Sequence, residues 1–497
     1  MSATSDYLAL DLGAESGRGV LGRFDGERLR LEEIHRFPNG PVRMLETLHW
    51  DLPRLHAEIK NAIRRAVALS PGLDGLGLDT WGVDFGLVGR GDTLLGNPVH
   101  YRDARTRGML EAAFACVPKS RIYEITGLQF LPFNSAYQLL AMKQAGSPLL
   151  GVAERFLMMP DLFGFLLTGR RVVERSNAST TQLYDPRAGN WSDELCQGLG
   201  LPRAILPEIA ESGSELGPLR PSVIEDVGAP GSLTVLLPGT HDTASAVAAV
   251  PARSTGGPPD WCYISSGTWS LMGVETPEPI ISDLTFQYNF TNEGGVAHTT
   301  RLLKNIMGLW LVQECRRTWQ RAGREFSYDE LSARAAAATP FAALVDPDDP
   351  SFLAPGDMPT RLAEFCQKTG QTPPTDEGGF VRCALESLAL KYRWAVERLE
   401  QIVGGPIRAI HIVGGGSKNA LLNQFTADAC GRPVYAGPVE ATAMGNLLMQ
   451  AIGRGRLGGL ADLRAVVARS FPVDGYEPRE AAIWDDAAAR FATLLPA

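Results

Sequence analysis

Apolar and small residues alternate over residues 7–12, which read as a buried strand, and period-two segments follow over 20–24 and at Leu29 and Leu31. A period of two marks strands, and Asp25-Gly26 between two such segments is a hairpin signal. The glycine-rich stretch Gly13-Ala14-Glu15-Ser16-Gly17-Arg18-Gly19 therefore lies between two antiparallel strands. Dinucleotide-binding and P-loop motifs both need a helix directly after the glycines, so neither reading holds. No Gly-Lys dipeptide occurs in the chain, which excludes a Walker A site on separate grounds.

The period shifts to 3.6 over residues 54–68, where Leu55, Ile59, Ala62, Ile63, Ala66 and Val67 share one face and Pro71-Gly72 ends the helix. Residues 76–78 and 233–237 read as short strands, the second leading through Pro238-Gly239 to Thr240-His241-Asp242-Thr243 and a helical, alanine-rich run. Residues 251–260 form the clearest break. Beyond it the opening theme returns: a strand over 261–264, a small-residue turn at 265–268, and a strand over 269–274. Two such openings imply a duplicated domain, divided as 1–250 and 251–497. Later residues predict a helix over 381–403, a buried strand over 407–413, the triplet Gly414-Gly415-Gly416, and a helix from Asn419 to Cys430. Gly445 falls in another short helix. A closing helix over 478–494, with Ile483, Trp484, Ala487 and Phe491 inward, is expected to pack back on the first domain. Strands and helices alternate in both halves, which is α/β architecture with mixed sheets.

At 497 residues the chain exceeds what one core fills, about 250–300 residues. A net charge of −9 without like-charge blocks argues against nucleic acid. No apolar run reaches the roughly 18–20 residues of a membrane span, and the N-terminus has no basic region of a secretory signal. The seven cysteines are scattered, with no Cys-x-x-Cys, which suits free thiols in a reducing cytoplasm. Cys366 and Cys383 flank a turn, and both are expected to be buried thiols.

Several motifs carry a resemblance. Asp11-Leu12-Gly13 with Ser16 and Arg18 resembles the first phosphate loop of the actin, hexokinase and heat-shock ATPase superfamily. Tyr101-Arg102-Asp103-Ala104-Arg105-Thr106, Leu166-Leu167-Thr168-Gly169, Ser176-Asn177-Ala178-Ser179, Trp191 and Gly414-Gly415-Gly416-Ser417-Lys418-Asn419 are similar to motifs of its FGGY carbohydrate kinases. The likeness runs in order from residue 7 to about 450. Residues 79–85, 129–134, 241–246, 265–270 and 304–310 look like the branch acting on L-rhamnulose. The resemblance implies two actin-like (ribonuclease H-like) domains around a central cleft, closing over ATP and a ketose. It also implies transfer of the γ-phosphoryl to O1 with Mg²⁺. L-fuculose or L-xylulose as substrate, and an actin-like ATPase acting as chaperone or filament subunit, stay open.

On that resemblance Asp242 is the base. At the start of its helix it reads as an N-cap worth about 1 kcal/mol, with a pKa lowered by the helix terminus. A weak base suffices where the proton leaves late in a loose transition state. Ala14, Glu15, Ser16, Gly17 and Arg18 would meet the phosphates, Arg18 as a positive fork. Glu15, an acid inside that loop, would repel the triphosphate unless a metal or its waters intervened. Asp11 would hold Mg²⁺ through water, and Thr268, Gln313 and Gly415 would contact ATP. His241, Thr243, Gly82 and Asn305 would contact the sugar, Asn305 and Gln313 being eight residues apart on one expected helical face. Trp81, Phe85 and Phe133 would form an apolar wall for a 6-deoxy methyl group. From the residues alone, the glycines equally suit a tight hairpin, His241 a structural contact, and the aromatics a core.

Overall fold

The computed structural model describes residues 4–252, 257–479 and 481–496. The chain forms two compact units. One comprises Met1–Arg253, Glu275–Leu302 and Ala441–Phe471; the other comprises Ser254–Val274, Leu303–Glu440 and Pro472–Ala497. The first division falls inside the expected break at 251–260, of which 253–256 lie outside the described residues. The units are nevertheless not the two continuous halves that sequence implies, because two later segments return to the first.

In the first unit a six-stranded sheet runs in the order Glu215–Pro218, Thr234–Leu236, Gly75–Thr80, Ser5–Leu12, Ser16–Phe24, Leu29–Pro38. The last three strands are antiparallel, as the hairpin signals require. Ser5–Leu12, Gly75–Thr80 and Thr234–Leu236 run parallel, and Glu215–Pro218 closes the edge antiparallel. The helix Leu52–Leu69 starts where the Asp51 carboxylate accepts the Arg54 N–H, and it buries Leu55, Ile59, Ala62, Ile63 and Ala66. The apolar face read from the sequence is therefore the one that packs.

The returning helix Ala441–Gly453 lies against Ser5–Leu12 and Gly75–Thr80. A side chain is missing from the sheet where it seats. A Cβ on Gly77 would stand 2.5 Å from Asn446 Oδ1 and 2.8 Å from Gln450 Nε2. In that space Gln450 donates to the Leu8 carbonyl at 3.0 Å.

A seven-stranded sheet carries Thr291–Gly294 at one edge and then runs Thr300–Met307, Trp269–Thr276, Trp261–Ser266, Ala409–Val413, Val434–Ala436, Asp474–Tyr476, the last six forming the sheet of the second unit. Trp261–Ser266 pairs antiparallel with Trp269–Thr276 and parallel with Ala409–Val413. Val434–Ala436 continues parallel, and Asp474–Tyr476 closes antiparallel. Strand order and these orientations repeat those of the first unit, which is the duplication implied by the two strand–turn–strand openings. The long helix Glu377–Val403 begins at the Asp376 cap and ends at Gly404, whose φ of 69° needs a residue without a Cβ.

The closing helix, Ala481–Ala492, belongs to the second unit, so it does not return to the first as expected. Its Trp484 packs edge-on to Phe341 and against Phe425. Trp484, Ala487 and Phe491 are buried as read, but Ile483 is 46% exposed. Cys366 and Cys383 are buried free thiols close enough to hydrogen-bond. Among the described residues no helix is long and apolar enough to cross a membrane.

Candidate active site

The carboxylates of the first unit gather at the C-terminal ends of its parallel strands. Asp11 ends the first strand; its register places Arg18 on one side and Asp79 on the other. Arg18 Nη2 donates to Asp11 Oδ2 at 2.6 Å. The expected phosphate fork is thus engaged with the expected metal-side carboxylate, because hairpin pairing sets the two residues directly opposite. Between them the loop turns tightly, with the Gly13 N–H donating to the Ser16 carbonyl at 2.9 Å. Asn39 braces it, its backbone N–H on the Glu15 carbonyl at 2.9 Å and its Nδ2 on the Gly13 carbonyl at 2.8 Å.

Asp79 was not singled out from sequence as a site residue, although it ends its strand as Asp11 ends the neighbouring one. It is fully buried and accepts Asn446 Nδ2 at 2.6 Å. Its Oδ1 has no hydrogen-bond partner. Burial, then the Asp11 charge, pushes its carboxyl well above the ordinary range. Asn446 is also a site neighbour that sequence spacing does not reveal, since 367 residues separate it from Asp79.

The chain reaches Asp242 by an added bridge. The Thr80 N–H donates to the Thr240 carbonyl at 2.9 Å, and Thr80 pairs with His241 in parallel. Buried Glu174 clamps this segment, accepting the Thr240 N–H at 3.0 Å, Thr240 Oγ1 at 2.9 Å and the Ser176 hydroxyl. Ser176 Oγ in turn accepts the His241 N–H at 3.0 Å. The Ser176–Ser179 motif thereby has a structural task, which is to fix the approach to Asp242.

Two expectations about Asp242 are corrected. The helix Asp242–Ala248 has His241 as its N-cap, and Asp242 is its first helical residue, not the cap. Its pKa is raised, not lowered. Burial is the main cause, opposed by His241 and reinforced by the charge of Asp11. A seven-residue helix offers a terminus too weak to reverse that desolvation. Thr243 Oγ1 donates to Asp242 Oδ1 at 3.1 Å, and His241 Nε2 stands 3.5 Å from the same oxygen.

Gly82 follows Thr80 by two residues, and a Cβ there would press on Thr180 Cγ2 at 3.0 Å. Trp81 stacks on Trp50 with centroids 3.9 Å apart, followed by His100, Tyr101 and Phe133 in one aromatic run. Phe85 packs instead on Phe156, because its strand turns it away. Asp84 organises the run: its Oδ2 accepts Trp50 Nε1 at 2.7 Å, Trp81 Nε1 at 3.1 Å and the Tyr101 N–H at 3.1 Å. Its Oδ1 accepts Gln138 Nε2 at 2.9 Å.

Burial raises the Asp84 carboxyl to about 6. A carboxyl with a folded pKa above its unfolded value binds its proton more tightly when folded. Its contribution to stability is fully present below about 4 and is lost as pH rises through about 6. In thermal melts between pH 4 and 8, the Tm of the wild type relative to Asp84→Asn should therefore rise as pH falls through about 6. A difference independent of pH would refute the assignment.

The second unit holds its own constellation. Thr268 lies in the turn between its first two strands, and its carbonyl accepts the Trp310 N–H at 3.1 Å at the start of the helix Trp310–Arg321. Gln313 is in the first turn of that helix, its Oε1 buried without a hydrogen-bond partner. The glycine triplet folds onto the same turn: a Cβ on Gly416 would lie 2.0 Å from Ser266 Oγ. Thr268, Gln313 and the triplet containing Gly415 are therefore neighbours. Asn305 does not share a helix with Gln313 as expected; it lies on the strand Thr300–Met307, whose period places its side chains differently.

Comparison with known proteins shows the family. The N-terminal domain of the FGGY family of carbohydrate kinases matches residues 7–249, and its C-terminal domain matches residues 262–454. A rhamnulokinase of Bacteroides thetaiotaomicron is 43% identical over 98% of both chains. One of Bacillus subtilis is 39% identical over 95% of this chain and 96% of its own. A xylulose kinase of Lactobacillus acidophilus superposes with a TM-score of 0.80 at 16% identity, covering 99% of this chain and 97% of its own. An ADP-bound glycerol kinase of Plasmodium falciparum does so at 0.74 and 15%, covering 99% of each. The last two share the two-domain actin-like fold. With both family domains in order along the chain, this protein belongs to the FGGY family of carbohydrate kinases.

Proposed function

We propose that the chain transfers the γ-phosphoryl group of ATP to O1 of L-rhamnulose, giving L-rhamnulose 1-phosphate and ADP, with Asp242 as general base. The observation that carries this reading is near full-length likeness to rhamnulokinases, joined to a partly exposed carboxylate with a raised pKa at the strand ends. Asp242 takes the proton of the O1 hydroxyl as that oxygen bonds to the γ-phosphorus and the bond to ADP breaks. A raised pKa makes it a better receiver than an ordinary aspartate. His241, Thr243, Gly82 and Asn305 orient the sugar. Ala14, Glu15, Ser16, Gly17 and Arg18 face the phosphates, while Thr268, Gln313 and Gly415 hold the nucleotide.

Asp11, with the orphaned Oδ1 of Asp79 beside it in register, suits a hydrated Mg²⁺, a cation held by one or two carboxylates together with phosphates. When bound, Mg²⁺ would neutralise charge on the triphosphate. With a hydrated cation bound there, an acid at Glu15 would be tolerated in the phosphate loop. Seven free cysteines support work in the reducing cytoplasm.

Coupled ADP release over a ketose panel tests the substrate. We expect kcat/KM for L-rhamnulose to exceed that for L-fuculose and L-xylulose by roughly 10-fold or more, the worth of one or two contacts. Preference for another ketose would transfer the assignment to it. ADP release indifferent to any sugar would abandon kinase chemistry for a bare ATPase.

A further inference from the structure

We infer that Arg301 is a positioning residue that holds His241 neutral, with its proton on Nε2, and so leaves Asp242 available as base. The inference rests on the proposed role of Asp242. Arg301 is 1% exposed in the first unit, and its Nε donates to the Gly294 carbonyl at 2.9 Å. Its Nη2 stands 3.1 Å from His241 Nδ1 and 3.2 Å from Glu293 Oε2. A guanidinium only donates hydrogen bonds, so Nδ1 must present its lone pair and the ring proton belongs on Nε2. That proton faces Asp242 Oδ1 at 3.5 Å.

The alternative arrangement is close at hand. Glu293 Oε2 is itself 3.3 Å from His241 Nδ1. Without Arg301 this buried carboxylate would draw a proton onto Nδ1. The ring would then be an imidazolium between two carboxylates, Glu293 at Nδ1 and Asp242 at Nε2. An imidazolium paired with Asp242 would hold that carboxylate in its charged form and make it a poorer proton acceptor. Arg301 prevents this twice over, by occupying the Nδ1 lone pair and by neutralising Glu293. The partner of one ring nitrogen thus sets what the other can do.

The test reads the ring directly. Protein labelled with ¹⁵N-histidine, with the His241 signals assigned by their loss in His241→Gln, should show a protonated Nε2 and a bare Nδ1 at neutral pH. Glu293→Gln keeps the Arg301 contact, so the tautomer should persist and kcat stay within about threefold. Arg301→Met removes the hold: the ring should leave the Nε2-only state, and kcat should fall roughly 10- to 100-fold with KM for ATP unchanged. Arg301→Met with Glu293→Met also removes the carboxylate that would protonate Nδ1, so the Nε2 tautomer and most of kcat should return. A wild-type ring protonated on Nδ1 overturns the inference, as does Arg301→Met with unchanged tautomer and kcat, or a double variant no different from Arg301→Met. The expected tautomer together with full turnover in Asp242→Asn would instead sink the base assignment and leave the hold of Arg301 intact.

Discussion

Replacing Asp242 with asparagine should lower kcat by about 10³-fold while leaving ATP binding near normal, since a positioned base contributes roughly 10²–10⁴. The amide keeps the shape of the side chain, and the Thr243 hydroxyl still has an oxygen to meet. What disappears is the capacity to take a proton. In the wild type, kcat/KM should fall with decreasing pH as Asp242 protonates, at a pH above that of an ordinary aspartate, because burial and Asp11 raise its pKa. Asp242→Asn should lose that limb. Stability moves the other way. A carboxyl with a raised folded pKa destabilises the fold when ionised, so the variant should melt no lower than the wild type at pH 7. Steady-state kinetics and thermal melts on one preparation measure both. A kcat within tenfold of wild type would remove Asp242 from the chemistry.

Gly445→Ala should destabilise the first unit by about 3 kcal/mol and depress kcat at least as steeply as stability. Helix propensity alone predicts the opposite sign, a gain of about 1 kcal/mol. Sterics decides the matter. A Cβ at Gly445 would stand 1.8 Å from the Ser245 carbonyl oxygen and 2.6 Å from its carbon. Those are backbone atoms of the helix Asp242–Ala248, so no side-chain rotation relieves the clash and the two helices must part. A displacement of about 1 Å at a reacting group costs around 10²-fold in rate. Gly72→Ala, with nothing within 4 Å of the added carbon, is the control and should stay within about 0.5 kcal/mol. Equal melting points for Gly445→Ala and wild type would show that the helices tolerate separation.

The sequence made the hairpins, the parallel strands and the long amphipathic helix legible, because each is written in a local period with local stop signals. The glycine-rich loop is readable as a turn between strands because a period-two segment over 20–24, not a helix, follows it, and Asp25-Gly26 then turns that segment into the next strand. Long-range facts were not. Nothing in residues 441–471 announces that they rejoin the first unit, since helix Ala441–Gly453 is buried along most of its length and shows no polar face to betray which sheet it covers. Asn305 and Gln313 were misplaced because eight residues is near two helical turns, whereas a strand ends between them at Met307. The raised pKa of Asp242 was misread because a local feature, the helix terminus, was visible, while desolvation by distant residues was not. Asp79 has the same signature as Asp11, a carboxylate at a strand end, but it lies inside a longer motif and does not stand out from it.

The return of Ala441–Phe471 to the first unit also bears on how the protein is made. Strands Ser5–Leu12 and Gly75–Thr80 leave the ribosome early, yet the helix that covers them and ties Asp79 through Asn446 comes some 360 residues later. Until then the glycine-lined face at Gly77 has no partner, and the buried carboxylate lacks its amide. Domains usually fold as units in order of synthesis; here the first unit cannot be completed until nearly the whole chain exists. Translation that stops after the first half would leave a sheet with one apolar face bare, a natural client for chaperones. The assembly of Asp11, Asp79 and Asp242 with their supports is therefore among the last events of biosynthesis, and an unfinished chain carries no finished site.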